Sequence, residues 1–234
     1  MRALRRIGVL GFIVAAGVAA SSCSNDVSDP SAEARVRFIN ASPDSPPLDI
    51  LFDGLNALQD LGAGELTVYL TVNAGSPVLT MRPSGGSDVA QTTPAFAAGG
   101  NYTVLATGLF AALQALVLTD DNTIPSADMV RLRVVHVAPS SGALDVYVTT
   151  PGADLASVQP VSAGVSFRGV ADYVSLPAGQ YQIRVTQAGT QTLERDAGTF
   201  SLNGSEVHSV FILDAPGGGT PPSVAAVRDA VPGS

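Results

Sequence analysis

From Arg35 onward, apolar and polar residues alternate in short runs rich in Val, Leu, Ile, Thr, Tyr and Phe, punctuated by Gly, Pro, Asn and Asp. A period of two is the signature of strands whose successive side chains point to opposite faces. The pattern predicts strands at 35–40, 48–53, 65–72, 77–82, 88–93, 101–107 and 112–118. A second series follows at 131–137, 144–149, 155–160, 169–176, 180–186, 192–200, 206–213 and 223–228. No apolar segment here has the length and 3.6-residue period of an amphipathic helix. Residues 55–61 read at most as one helical turn, and the run from Phe110 reads as a strand. The expected fold class is all-β.

The runs fall into two copies. The phrase RVRFINASPDSPPLD, Arg35 to Asp49, returns 96 residues later as RLRVVHVAPSSGALD, Arg131 to Asp145. YLTVNAG (Tyr69 to Gly75) returns as YVSLPAG (Tyr173 to Gly179) at an offset of 104, which places an insertion around TPGADLASVQPVSAG. AFAAGGNYTV has a later counterpart in TFSLNGSEVHSV. Landmarks repeated in order imply two copies of one domain, at 35–119 and 130–230, joined by a linker at 120–129.

Alternation puts Val36 and Phe38 on one face of the first strand, Arg35 and Arg37 on the other. In the next strand Leu48, Ile50 and Phe52 face the core and Asp49 faces out. Pairing of these strands around the Pro43 loop would set Arg37 beside Asp49, and Arg133 beside Asp145. Such a cross-strand ion pair contributes roughly 0.2–1 kcal/mol. Pro43 and Pro139 fix φ where the chain leaves a strand, and Gly75 and Gly179 sit where a turn calls for positive φ. The repeat signature Arg37, Pro43, Asp49, Arg133, Pro139 and Asp145 is therefore read as structural.

The N-terminus is different in kind. MRALRR is basic, and Ile7 to Ala20 is an uncharged run of fourteen residues followed by small residues and Cys23. This is the layout of a secretory signal, and as a helix it reaches only about 21 Å, short of a hydrocarbon core of ~30 Å. Cys23 is the only cysteine, which excludes an internal disulfide. AASSC resembles a bacterial lipobox, with Ala20 where that pattern usually has a larger aliphatic residue. The resemblance implies a signal peptide at 1–22, lipidation of Cys23, a membrane held through the acyl anchor and, with Ser24 next, sorting to the outer membrane. Residues 23–34 are polar and aperiodic and read as a flexible tether.

Taken together, R-x-R with two apolar residues, the A/S-P-x-S and L-D elements, Y-x-x-x-x-A-G and the later YTV strand resemble the DUF4397 domain. That family occurs in bacterial envelope and secreted proteins, often in tandem, and has no assigned function. The resemblance implies two tandem immunoglobulin-like or transthyretin-like β-sandwiches and brings no catalytic residue. One departure is Asn40, which stands where the second copy has His136.

Charge narrows the choice of partner. The chain has no lysine; from Cys23 on, nine arginines face twenty acidic side chains, a formal charge of −11. Such a surface repels phosphate backbones, so nucleic acid is not an expected partner. No G-x-S-x-G nucleophile motif and no P-loop lysine occur. His136 and His208 are scattered rather than clustered as zinc requires, and both read as structural hydrogen-bonding groups. Thr119 to Thr123 and Asp128 offer oxygens at the junction, without a defined calcium loop. Tyr147 is expected to point outward beside Asp145, either as a contact residue or simply as a strand former. The expectation is a non-enzymatic cell-envelope lipoprotein without cofactor or metal, presenting two sandwiches to an envelope protein or glycan. The alternatives are a hydrolase, carbohydrate-active or other, with its site at the domain junction, and a calcium-stiffened spacer.

Overall fold

The structure, a computed structural model, describes residues 32–233. The predicted signal, Cys23 and most of the predicted tether lie outside the described residues. The first copy forms β1 (Glu33–Asn40), β2 (Leu48–Phe52), β3 (Leu55–Leu61), β4 (Leu70–Asn73), β5 (Leu79–Pro83), β6 (Ala90–Thr92), β7 (Asn101–Thr107) and β8 (Gln114–Thr119). They make two four-stranded sheets, in the orders β4-β1-β7-β8 and β3-β2-β5-β6. The second copy forms β9 (Met129–His136), β10 (Leu144–Thr149), β11 (Ser162–Val165), β12 (Val174–Pro177), β13 (Gly179–Gln187), β14 (Leu193–Leu202), β15 (Glu206–Leu213) and β16 (Ser223–Ala230). Its sheets repeat the same two orders, β12-β9-β15-β16 and β11-β10-β13-β14. In each copy the first strand runs parallel to the seventh, and every other pairing is antiparallel.

Each copy is a β-sandwich with its own core. Val36, Phe38, Leu48, Ile50, Leu79, Met81 and Val104 fill the first. Val130, Leu132, Val134, Leu144, Val146, Ile183 and Val210 fill the second. Burying a side chain of this size contributes roughly 1.5–3 kcal/mol, and the inward positions of the period-two pattern supply nearly all of them.

Four expectations are corrected. Residues 55–61 form β3 rather than a helical turn. Its pairing with β2 slips between Leu48 and Ile50 and again between Ile50 and Leu51, and Asp60 has φ 56°. Bulges insert residues and erase the local period of two, so Leu55, Leu58 and Leu61 fall at helix-like spacing. Residues 155–160 are not a strand: a 3-10 turn occupies Leu155–Ser157, capped by the Asp154 side chain, and the strand begins at Ser162. Gly179 opens β13 without positive φ, whereas Gly75 has φ 141°. Finally, β1 and β2 do not pair. The Pro43 loop crosses between the sheets of the sandwich, so Arg37 and Asp49 belong to different sheets.

A third apolar cluster lies between the sandwiches: Ile39, Ala41, Leu105 and Leu118 from the first, Val135, Val137 and Phe211 from the second. The outer face of the β4-β1-β7-β8 sheet is therefore packed against the outer face of its counterpart.

Candidate functional site

The centre of this seam is charged. Arg37 and Arg133 are each 2% exposed, and Asp120 and Asp229 are 4% and 6% exposed. Within the first sandwich, Arg37 Nε donates to Thr103 Oγ1 at 2.7 Å, and Thr103 Oγ1 donates to Asp120 Oδ2 at 2.6 Å. Within the second, Arg133 Nε donates to Ser209 Oγ at 2.8 Å, and Ser209 Oγ donates to Asp229 Oδ2 at 2.6 Å. The ion pairs then cross the seam reciprocally. Arg37 Nη2 reaches Asp229 Oδ1 at 2.7 Å, bent off the hydrogen-bond axis, and Arg133 Nη2 donates to Asp120 Oδ1. Each copy thus offers an Arg and a hydroxyl from equivalent strands and an Asp from the end of the last one, Asp120 just past β8 and Asp229 within β16, and each Arg finds the Asp of the other copy.

Two tyrosines close the network. Tyr69 Oη donates to Asp120 Oδ2 at 2.6 Å, and Arg37 lies 4.9 Å from the Tyr69 ring centre. Arg133 lies 5.1 Å from the ring of Tyr173, whose hydroxyl has no hydrogen-bond partner among the described residues. Burial and then Asp120 raise the Tyr69 pKa well above the usual phenol value; burial pushes Tyr173 up to about 12. Burial also holds Asp229 above the ordinary carboxylate range, against the opposing pull of Arg37, Ser209 and Arg133. On Arg37 burial pulls downward, but Asp229, Tyr69 and Asp120 outweigh it, so the guanidinium stays charged. A convergent titratable cluster does occupy the junction, therefore, but its carboxylates are covered and matched by guanidiniums.

The other signature residues serve local geometry. Asp49 accepts from Asp60 N at 3.1 Å and from Ser84 Oγ at 2.7 Å. The Ser84 hydroxyl and then the Asp60 amide hold its pKa below the ordinary value. Asp145 accepts from Gly164 N at 2.6 Å and Gly189 N at 2.8 Å. Asp60 and Gly164, with φ 56° and 63°, are equivalent positions, so each Asp clamps a bulged edge strand and a hairpin turn. Pro43 and Pro139 each line a cleft where the seam opens, of about 310 and 270 Å³. A third cleft of about 450 Å³ lies at the linker end and is lined in part by Asp120, Asp121 and Asn122.

His136 is structural, as expected: it accepts from Ala138 N at Nδ1 (3.3 Å), so Nε2 carries the proton given to Gly142 O at 2.9 Å. Burial lowers its pKa and keeps it neutral. Asn40 does the same work in the first copy, reaching Leu61 O and receiving Ser42 N. His208 Nε2 lies 2.9 Å from Glu206. Tyr147 is not an exposed contact; it is 5% exposed. The insertion folds over that face of β10, where Arg184 donates to Thr149 Oγ1 and Ala153 O. Of the junction oxygens, Asp120 is in the seam, Asp121 pairs with Arg131 at 2.6 Å, and Asp128 accepts from Ser126. No group of three or more His, Cys, Asp or Glu is placed to hold a metal ion among the described residues.

Sequence reading identified Arg37 and Arg133 but set them on an outer face beside Asp49 and Asp145, and it missed Thr103, Ser209, Asp120, Asp229, Tyr69 and Tyr173 as a unit. A signal was present. Ile39, Leu105, Leu116, Leu118 and Phe211 occupy outward positions with the same parity as these polar groups, and a solvated face does not need them.

Residues 34–147 match the family described as a domain of unknown function, DUF4397; the chain carries this domain. The match begins in β1 and ends within β10. No curated protein matches the chain. Among solved structures, the chain is similar to a carbohydrate-binding module, CBMbc of family CBM26, from Eubacterium rectale Amy13K, crystallised with maltoheptaose. The identity is 12%, with 86% of this chain and 98% of that one covered and a TM-score of 0.29. It is similar to the Bacillus anthracis TIE protein at 13% identity and a TM-score of 0.27, covering 77% of this chain and 33% of that one. A leucine-rich repeat protein from Bacteroides thetaiotaomicron gives 15% identity and a TM-score of 0.22, covering 76% and 26%. The chain thus spans about a third and a quarter of the length of these last two.

Proposed function

We propose that this protein is a non-enzymatic cell-envelope lipoprotein, a rigid twin-sandwich module that presents its faces and end loops to an envelope protein or glycan. The observation that supports this reading is the reciprocal pairing of Arg37 with Asp229 and of Arg133 with Asp120. A buried ion pair adds little stability over apolar packing, but it penalises every arrangement that leaves one charge unmatched. Two such pairs crossing one interface favour a single mutual orientation. A presenting scaffold needs that rigidity, and the groups most capable of chemistry are consumed in providing it.

The test is a binding screen of the lipid-free form against envelope proteins and glycans, run beside a hydrolase substrate panel. Saturable binding without turnover supports the module. Turnover abolished by Asp121→Asn, an exposed carboxylate of the 450 Å³ linker cleft outside the buried network, with the melting temperature unchanged, would instead favour the rival reading of a hydrolase there.

A further inference from the structure

The two copies treat one end of the seam differently. Gly64 N donates to Asn40 O at 2.7 Å, and Arg168 N donates to His136 O at 2.7 Å. Leu66 bridges to Ile39, and Val170 to Val135. These matched contacts make Ala63–Gly64 and Phe167–Arg168 the same place in the fold. Both Gly64 and Arg168 have positive φ, 78° and 63°. For glycine that backbone is free; for arginine it costs roughly 1–2 kcal/mol. The second copy accepts this strain, and its side chain crosses the seam. Arg168 donates to Gln114 Oε1 and, at 3.1 Å, to Ala115 O on the edge strand β8, while Phe167 and Pro139 line the cleft beside it.

In the first copy the corresponding side chains are missing. The cleft there, about 310 Å³ against about 270 Å³ in the second copy, runs between Pro43, Ala63 and Gly64 on one side and Asp214, Val224 and Ala225 on the other. Ser223 and Val224 begin β16, the edge strand equivalent to β8, so the counterparts of Gln114 and Ala115 line the cleft. No Lys or Arg lines it. Among the described residues the Asp214 carboxylate receives only neutral donors, Ser140 N at 3.1 Å and Ser140 Oγ at 2.7 Å. The walls are otherwise mostly apolar.

We infer that this cleft is a docking site for a partner polypeptide presenting an arginine beside an aromatic residue, the pair that the second copy carries at the equivalent place, where Arg168 crosses the seam and the partly exposed Phe167 lines the cleft beside it. The aromatic ring packs against Pro43, and the guanidinium takes the edge-strand carbonyl with Asp214 as counter-charge, a charge-assisted contact that a neutral side chain cannot make. This deepens the binding-module reading and rests on it.

The probe is the peptide acetyl-Ser-Phe-Arg-Gly-amide, the sequence of residues 166–169, titrated into the lipid-free protein and followed by NMR. Saturable shifts centred on Gly64, Val224 and Ala225 are expected, with about tenfold weaker binding for the Arg→Ala peptide. Ala63→Phe with Gly64→Arg should abolish binding. A Cβ at Gly64 meets nothing within 4 Å, and the backbone conformation already accommodates arginine in the other copy. Ala63→Phe alone, which leaves the glycine in place, should weaken binding at least in part. Absent or unlocalised shifts, or equal binding to the plugged variants, would overturn the inference. If the envelope screen yields a partner that the plugged variant still binds, the cleft assignment fails while the module reading stands; an empty screen with localised peptide shifts strikes at the module reading alone.

Discussion

Arg37→Met is the sharpest probe of the seam. Methionine keeps much of the apolar stem but removes the cation, leaving Asp229 buried opposite a thioether. Removing one member of a buried pair costs about 3–5 kcal/mol, mostly through the stranded partner. Here the lower end applies. Asp229 keeps the Ser209 hydroxyl at 2.6 Å, and burial already raises its pKa, so it escapes part of the penalty by taking a proton. At about 2–4 °C per kcal/mol for a chain of this size, a loss of ~3 kcal/mol lowers the melting temperature by about 6–12 °C. Arg35→Met is the control: Arg35 is exposed on the same strand, and its guanidinium lies 5.1 Å from the Tyr69 ring, an exposed contact that contributes about 0.5–1 kcal/mol. Calorimetry and urea unfolding of Arg37→Met, Asp229→Asn and the double variant complete a cycle, in which the second substitution should cost far less once the first is made. A melting temperature for Arg37→Met indistinguishable from that of Arg35→Met would mean that Arg37 is solvated and that the seam does not close as described.

The same seam predicts alkaline behaviour. Tyr69 and Tyr173 have raised folded-state pKa values, so the native state holds their protons more tightly than the unfolded chain does. Stability should therefore fall as pH rises from about 10 towards 12. With no tryptophan to interfere, absorbance at 295 nm, compared with the Tyr69→Phe and Tyr173→Phe variants, should show these two tyrosines ionising only with unfolding; their free titration near pH 10 would contradict their burial. Gly204→Ala tests the packing of the linker, because a Cβ there would lie 1.7 Å from Ala127 O. Backbone must move to admit it, at a cost of roughly 1–3 kcal/mol, and an unchanged melting temperature would show that the linker does not rest on this turn. Cys23→Ala should move the protein from the membrane fraction to the soluble fraction; continued membrane association would count against the acyl anchor.

Much of each sandwich was legible in sequence because alternation is a local property. Val36, Phe38, Leu48 and Ile50 lie inward as their parity requires, and the strands at 101–107, 144–149 and 206–213 run between the expected residues. The repeated phrase likewise announced two copies of one fold. Alternation fails where a bulge adds a residue, which is why β3 looked helical. It is also silent about what lies beyond an outward face. An outward Arg37 has the same sequence signature whether it meets water, Asp49 on a neighbouring strand, or Asp229, 192 positions along the chain. Only tertiary structure decides, because the Pro43 loop sends the next strand to the opposite sheet and the two copies then stack outer face to outer face. Desolvation is the physical reason the outcome matters: the same guanidinium is nearly neutral for stability in water and demands a matched carboxylate once the second sandwich excludes solvent.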